Sequence, residues 1–213
     1  MILNEEIAQK TAEFLLQIKA IKLQANNPFT WASGWNSPIY CDNRLTLGHP
    51  MIRNFIREQL AKAVEDEFGK PDLIVGVATG AIAHGVLVAE RLGLPFAYVR
   101  SKSKGHGRQN LIEGHFEEGQ TAVIIEDLIS TGMSSLAANT ALKEAGIKTK
   151  GMAAIFTYDF DISKKAFEEA ECPLVTLSDY NYLIKTAVDR FDIVESDLDT
   201  LLDWRRDPQN WKK

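Results

Sequence analysis

Cysteine is scarce in this chain: Cys41 and Cys172 are its only two among 213 residues, and they form no CxxC or Cys/His cluster. That spacing argues against a structural zinc site, and the pair reads as reduced thiols rather than a disulfide. No uninterrupted apolar run approaches the ~18 residues that a membrane span needs. Residues 1–19 carry Glu5, Glu6, Lys10 and Glu13 among their apolar positions, unlike the charged start and apolar core of a secretion signal. The expected location is cytoplasmic, with no membrane partner. Positive charge is in deficit too: the formal net charge is −5, so the broad basic surface that nucleic acid requires is missing. Neither G-x-x-x-x-G-K-[ST] nor a G-x-G-x-x-G after a strand occurs, which leaves a P-loop nucleotide site and a dinucleotide site unsupported. Internal repeats and low-complexity linkers are absent.

What is present is enough apolar residue, 45% of the chain, to bury one sizeable core. One α/β domain over residues 1–213, with a small elaboration in about 1–45, is the economical reading. Ile7, Phe14, Leu15, Ile18 and Ile21 recur near a 3.6-residue period and predict an amphipathic helix over 5–21. Residues 27–44, rich in Pro, Gly, Ser and aromatics, predict short strands and turns. From Pro50 the pattern becomes regular. Helices are expected at 50–68, 81–92 and 134–145, and strands at 73–77, 96–100, 121–125, 151–158 and 174–177. Further helices follow Asp161, and the chain should end in a polar tail holding Trp204 and Trp211. Alternating helices and nearly continuous apolar strands imply a mostly parallel sheet flanked by helices on both faces, with ligands beyond the carboxyl ends of its strands.

The most informative stretch is TAVIIEDLISTGMSS, residues 121–135. An apolar strand is expected to end in Glu126 and Asp127, after which Ser130, Thr131 and Gly132 lead into a helix. Two carboxylates there can accept hydrogen bonds from ribose hydroxyls, while backbone N–H groups at the helix N-terminus bind a phosphate. Gly132 lets backbone approach the phosphate, and Ser130, Thr131 and Ser134 add hydroxyl donors. An Asp/Ser/Thr cap on an ordinary helix is the plainer alternative. A second turn, VGVATGAIAHG at 75–85, sets Thr79 and Gly80 between a strand and a helix, where they suit a pyrophosphate; His84 just beyond reads as structural. A third stretch is basic. Arg100, Lys102, Lys104, His106 and Arg108 follow one another with no acid between, and Gly105 and Gly107 bracket the histidine. A solvated surface loop is the ordinary reading of such a run; after a sheet strand, in a protein built for a polyanion, it reads as a cationic lid.

The pattern at 121–135 resembles the signature for phosphoribosyl pyrophosphate (PRPP) in type I phosphoribosyltransferases. The loop YVRSKSKGHG resembles the catalytic loop of the orotate branch, and FTWASGWNSPIYCDNR resembles that branch's hood over the base. The resemblance spans essentially the whole chain. It implies PRPP contacts at Glu126, Asp127, Leu128, Ile129, Ser130, Thr131, Gly132, Met133 and Ser134, joined by Arg100, Lys104 and His106 from the loop. It implies a catalytic role for Lys104, Arg100, His106 and Asp127, and an orotate contact at Ser130. It also implies magnesium (Mg2+) held mainly by PRPP and water rather than by protein ligands, and a homodimer with shared active sites in which Lys104 acts in trans. Ser101 stands where some members have lysine directly after the arginine, and Lys102 follows one position later. Ala32 replaces a lysine found in some hoods, and no arginine stands at Tyr158 and Asp159, so the orotate carboxylate has no assigned cation; Arg44 reads as a surface residue.

The implied reaction transfers ribose 5-phosphate from PRPP to orotate, giving orotidine 5'-phosphate and pyrophosphate in pyrimidine biosynthesis. The site must then stabilise an oxocarbenium-like sugar and a leaving pyrophosphate together. Two rivals remain: a phosphoribosyltransferase for a purine or uracil, and a PRPP-sensing regulator. The first would lack the hood, and the second would carry a DNA-binding module, which nothing here resembles. A fused orotidylate decarboxylase barrel would itself need ~250 residues.

Overall fold

The computed structural model describes residues 2–31, 33–100 and 111–212. Ala32, Lys102, Lys104, His106 and Arg108 therefore lie outside the described residues. Helix α1 (Glu5–Gln17) begins at Asn4, whose side chain accepts the N–H groups of Glu6 and Ile7. The expected extension of this helix to residue 21 fails. Lys19 takes the left-handed conformation, φ 57°, and Ile21 enters a strand whose pairing satisfies its backbone. Strands β1 (Ile21–Leu23), β2 (Phe29–Thr30), β3 (Asn36–Ser37) and β4 (Ile39–Cys41) make two small antiparallel sheets, β1 with β4 and β2 with β3. A 3₁₀ turn over Asn43–Gly48 then leads into α2 (Pro50–Ala63), which opens on a proline suited to a first helical position.

The main body alternates as the apolar pattern implied. It comprises β5 (Leu73–Val77), α3 (Ile82–Leu92), β6 (Phe96–Val99), β7 (Ile112–Glu113), β8 (Thr121–Ile129), α4 (Met133–Glu144), β9 (Lys148–Thr157), α5 (Asp161–Glu169), β10 (Leu174–Asp179), α6 (Tyr180–Asp189) and α7 (Glu195–Arg206). One six-stranded sheet has the order β10-β9-β8-β5-β6-β7, parallel except for β7. The chain passes outward from β5 through β6 and returns to β5's other side as β8. The switch point between β5 and β8 leaves a crevice at their carboxyl ends.

Each face of the sheet carries its own core. Val123 and Ile125 pack with Leu15 of α1, Ile56 of α2 and Val88 of α3, whereas Ala122 and Ile124 pack with Leu142 of α4 and Phe167 of α5.

Two expectations need correction. The strand expected to stop at residue 125 runs on to Ile129, because β9 is long enough to keep pairing, through Glu126 with Ala154 to Ile129 with Thr157. Glu126 and Asp127 thus belong to the strand, not to the loop after it. The expected polar tail is also wrong in part: Trp204 lies on α7, is fully buried, and sits among the rings of Trp31, Tyr158, Phe160 and Tyr180 at centroid distances of 5.4–5.6 Å. Burial of an indole with its N–H satisfied outweighs the polar character of its neighbours in sequence.

Candidate active site

At the carboxyl ends of β5 and β8 a cavity of about 260 Å³ is lined by Val77, Ala78, Thr79 and Gly80 from one side and by residues 126–128 and 130–135 from the other. Two glycines make it possible. Gly132 has φ 82°, a conformation that disfavours any side chain, and a Cβ there would lie 2.9 Å from the Phe167 ring. A Cβ on Gly80 would run into the carboxylate of Asp127. Helix α4 is preceded by Gly132 as its N-cap with no side-chain cap, and its first turn lines the cavity beside Ser130 and Thr131. Unpaired N–H groups and the positive end of the helix make this a seat for an anion.

The two acids at the floor differ. Glu126 is 5% exposed; it accepts a hydrogen bond from the Ser135 hydroxyl at 2.8 Å and from the Asp127 N–H at 3.0 Å. Burial, then the neighbouring charge of Asp127, lifts its carboxyl well above the ordinary glutamate range. Asp127 is half-buried and lies against the β5–α3 turn. Of the expected PRPP contacts, Ile129 alone among residues 126–134 does not line this cavity; its side chain is fully buried in the core. Arg100 does not line it either. Its guanidinium points to Glu113 at 3.4 Å, while its N–H bonds the carbonyl of Leu111 across the ends of the undescribed segment 101–110.

A second cavity, of about 400 Å³, shares Leu128 and Ser130 with the first and is otherwise lined by Thr30, Trp31, Tyr40, Cys41 and Tyr158. It is more apolar than its neighbour. Tyr158 is 2% exposed and meets Trp31 at 5.1 Å between centroids. Burial pushes the Cys41 thiol upward, with Asp127 and Asp42 adding to the effect, so the thiol stays protonated and donates to Oδ1 of Asn43 at 3.3 Å. Arg44 is exposed and paired with Asp42, as a surface residue should be.

Sequence reasoning missed Asn43. It is 1% exposed, and its amide donates to the backbone carbonyl of Asp127, fastening the 3₁₀ turn to the middle of the site. The Thr46 hydroxyl donates to the Asn43 carbonyl at 2.6 Å and lies 3.4 Å from Nε2 of His84. His84 is 2% exposed, and burial lowers its pKa against the opposing pull of Asp127 and the Asn43 carbonyl. The asparagine in CDNR carried no signal, since the partner lies 84 positions away.

Residues 47–189 match the phosphoribosyl transferase domain. A curated relative from Bacteroides thetaiotaomicron, orotate phosphoribosyltransferase, is 53% identical over 200 residues, 94% of each chain. The protein of the same name from Listeria innocua is 51% identical over 97% of this chain and 99% of its own. The chain belongs to the orotate phosphoribosyltransferases. Among solved structures, the orotate phosphoribosyltransferase of Aeropyrum pernix aligns with a TM-score of 0.74 at 22% identity, over 86% of this chain and 99% of that one. The UMP synthase of Leishmania donovani aligns with a TM-score of 0.78 at 23% identity over 92% of this chain, which spans only 42% of that longer protein. At these identities the solved structures speak for the type I phosphoribosyltransferase fold alone. In this chain the cavity at β5 and β8 falls inside the matched domain, whereas the aromatic cavity straddles its boundary: Leu128, Ser130 and Tyr158 lie within it, and Thr30, Trp31, Tyr40 and Cys41 precede residue 47.

Proposed function

We propose that the chain transfers the ribose 5-phosphate of PRPP to orotate, giving orotidine 5'-phosphate and pyrophosphate. The observation that carries this reading is the pairing of two cavities through Leu128 and Ser130, one at the start of α4 with Ser and Thr hydroxyls around it and the other walled by aromatic rings. In this reading the 5'-phosphate sits on the N–H groups that open α4, with Ser130, Thr131 and Ser134 donating hydroxyls. The pyrophosphate lies toward Thr79 and Gly80. The planar base enters the aromatic cavity, where Ser130 is its polar contact. The glycosidic carbon then stands at the shared wall.

In the reaction the bond from the anomeric carbon to pyrophosphate breaks as a ring nitrogen of orotate forms its bond on the opposite face, releasing the nitrogen's proton. Asp127 supports the positive character of the sugar ring. Glu126, whose carboxyl burial pushes upward, serves chiefly to brace the strand end and Ser135. Arg100, Lys104 and His106 offset charge on the departing pyrophosphate; one preorganised group of this kind commonly contributes ~10² to 10³ in rate. Magnesium, which keeps several waters and favours phosphate oxygens, would neutralise the same leaving group. The donor set fits this role, since Asp127 at the cradle is the carboxylate placed to meet a substrate-borne ion. Closure of the loop over the site would exclude water and suppress hydrolysis of PRPP. A cytoplasmic homodimer, with Lys104 reaching the partner's site, completes the reading; no helix among the described residues is long and apolar enough to cross a membrane.

The test is direct. Purified protein given PRPP and magnesium should deplete orotate, followed by its ultraviolet absorbance, and should leave uracil, hypoxanthine and adenine unconverted. Depletion of one of those bases instead of orotate would refute the assignment.

A further inference from the structure

The wall of the aromatic cavity is set from behind by the C-terminal helix. Tyr158 lies just past the end of β9, with its N–H bonded to the Ile129 carbonyl at 3.0 Å, and the next residue, Asp159, has φ 57°. A non-glycine residue in that conformation holds only where its surroundings fix it. Thr157, whose hydroxyl accepts the Asp159 N–H at 2.9 Å, and Lys164, whose ammonium lies 2.8 Å from Oδ2 of Asp159, hold it from β9 and α5, and Arg205 of α7 is the contact that also reaches Tyr158. Its Nε donates to the Tyr158 carbonyl at 3.3 Å, and its Nη2 donates to the Asp159 carbonyl and to Oδ2 of Asp159, both at 2.8 Å. The planar guanidinium can span these acceptors in a way an ammonium cannot. Its neighbour Trp204 packs edge-on against both Tyr158 and Trp31, at 5.6 Å each, and donates its indole N–H to the Asn36 carbonyl at 3.2 Å. Two consecutive residues of α7 thus bear on the cavity wall, Trp204 on the rings of Trp31 and Tyr158 and Arg205 on the backbone of Tyr158, from a helix that contributes no lining side chain itself.

We propose that Arg205, assisted by Trp204, is a positioning residue for base recognition: it fixes the Tyr158–Asp159 turn and thereby the shape of the base cavity, without touching the phosphate cradle. The inference rests on the function proposed above. It separates the two substrates, because nothing on α7 contacts residues 77–80 or 130–135 through the bonds described, whereas Tyr158 lines the base cavity and not the phosphate cradle.

Steady-state kinetics of the full chain test it, with the unaltered enzyme assayed first. Arg205→Ala should raise KM for orotate roughly tenfold and leave KM for PRPP within about twofold, since loss of positioning acts on the bound group it shapes. Arg205→Lys should recover part of the loss, one ammonium replacing some of the donors. Trp204→Phe, which keeps a ring but loses the bond to Asn36, should shift KM for orotate in the same direction by less. An unchanged KM for orotate in folded Arg205→Ala, or a parallel rise in both KM values, would overturn the proposal. If Arg205→Ala does not fold, Arg205→Gln decides between the same outcomes. An unaltered enzyme that does not convert orotate refutes the function reading and this one with it, whereas a normal enzyme with an indifferent variant refutes only the role of Arg205.

Discussion

The carboxylate of Asp127, near the end of β8, occupies the space that a side chain on Gly80 would need in the β5–α3 turn. Two residues 47 positions apart, one in the turn after β5 and one near the end of its sheet neighbour β8, therefore constrain each other at the centre of the cradle. Gly80→Ala forces Asp127 aside. We expect kcat/KM for PRPP to fall by about 10²-fold or more, because misplacement near 1 Å costs that much in an oriented site, with the midpoint of thermal unfolding shifted by only a few degrees. Activity retained within a factor of three would show that Asp127 is free to move.

Glu126 carries a pH signature. Its carboxyl is raised above the usual value of 4.5, so the folded protein keeps a proton that the unfolded chain releases. Stability from this group is full below that value and declines as pH rises toward the folded pKa, by up to about 1.4 kcal/mol per pH unit. Glu126→Gln should remove this decline and be more stable than the parent at pH 8 in urea titrations, while keeping far more activity than Asp127→Asn. Equal pH slopes for parent and variant would be the contrary result.

His84 acts in the other direction. Burial holds it below its usual 6.5, so the unfolded chain takes up a proton that the folded protein resists. Stability is full above 6.5 and is lost as pH falls from there toward the folded pKa. His84→Asn should flatten the acid side of the stability profile, and combined with Glu126→Gln it should leave little slope from either group. The check is the same titration repeated at half-unit intervals of pH.

Lys104 belongs to the segment outside the described residues, and its proposed task is to meet charge on the leaving pyrophosphate. Lys104→Ala should lower kcat by ~10² to 10³ while moving the KM values much less. If the loop serves the partner's site, mixing Lys104→Ala with Asp127→Asn after mild dissociation should restore activity that neither variant has alone. Failure of mixed dimers to recover any turnover would count against shared sites.

Much of the architecture could be read along the chain. The apolar strands at 73–77 and 96–99 and the helix between them appear where alternation and period put them, because β-pairing and amphipathic packing depend on short-range pattern. The turn at 130–132 between a strand and a helix was legible for the same reason, since Ser, Thr and Gly in that order end one element and open the next. The end of β8 was not. Two acids look like the finish of a strand, yet the length of β9 carries the ladder past them, and that length is set by a different segment. Trp204 was hidden in the same way, since a polar C-terminal stretch gives no hint of the four rings that enclose its indole.

The sequence by itself determined the alternation of elements, the Ser-Thr-Gly turn before α4 and the concentration of positive charge between 100 and 108, because each depends on residues adjacent in the chain. Only the tertiary structure decided that Glu126 is buried while Asp127 faces Gly80, that Asn43 fastens the 3₁₀ turn to the Asp127 carbonyl, and that Arg205 braces Tyr158. Those are contacts between segments 46 to 84 positions apart or more loosely tied, and a side chain's charge state and reach depend on what surrounds it in space.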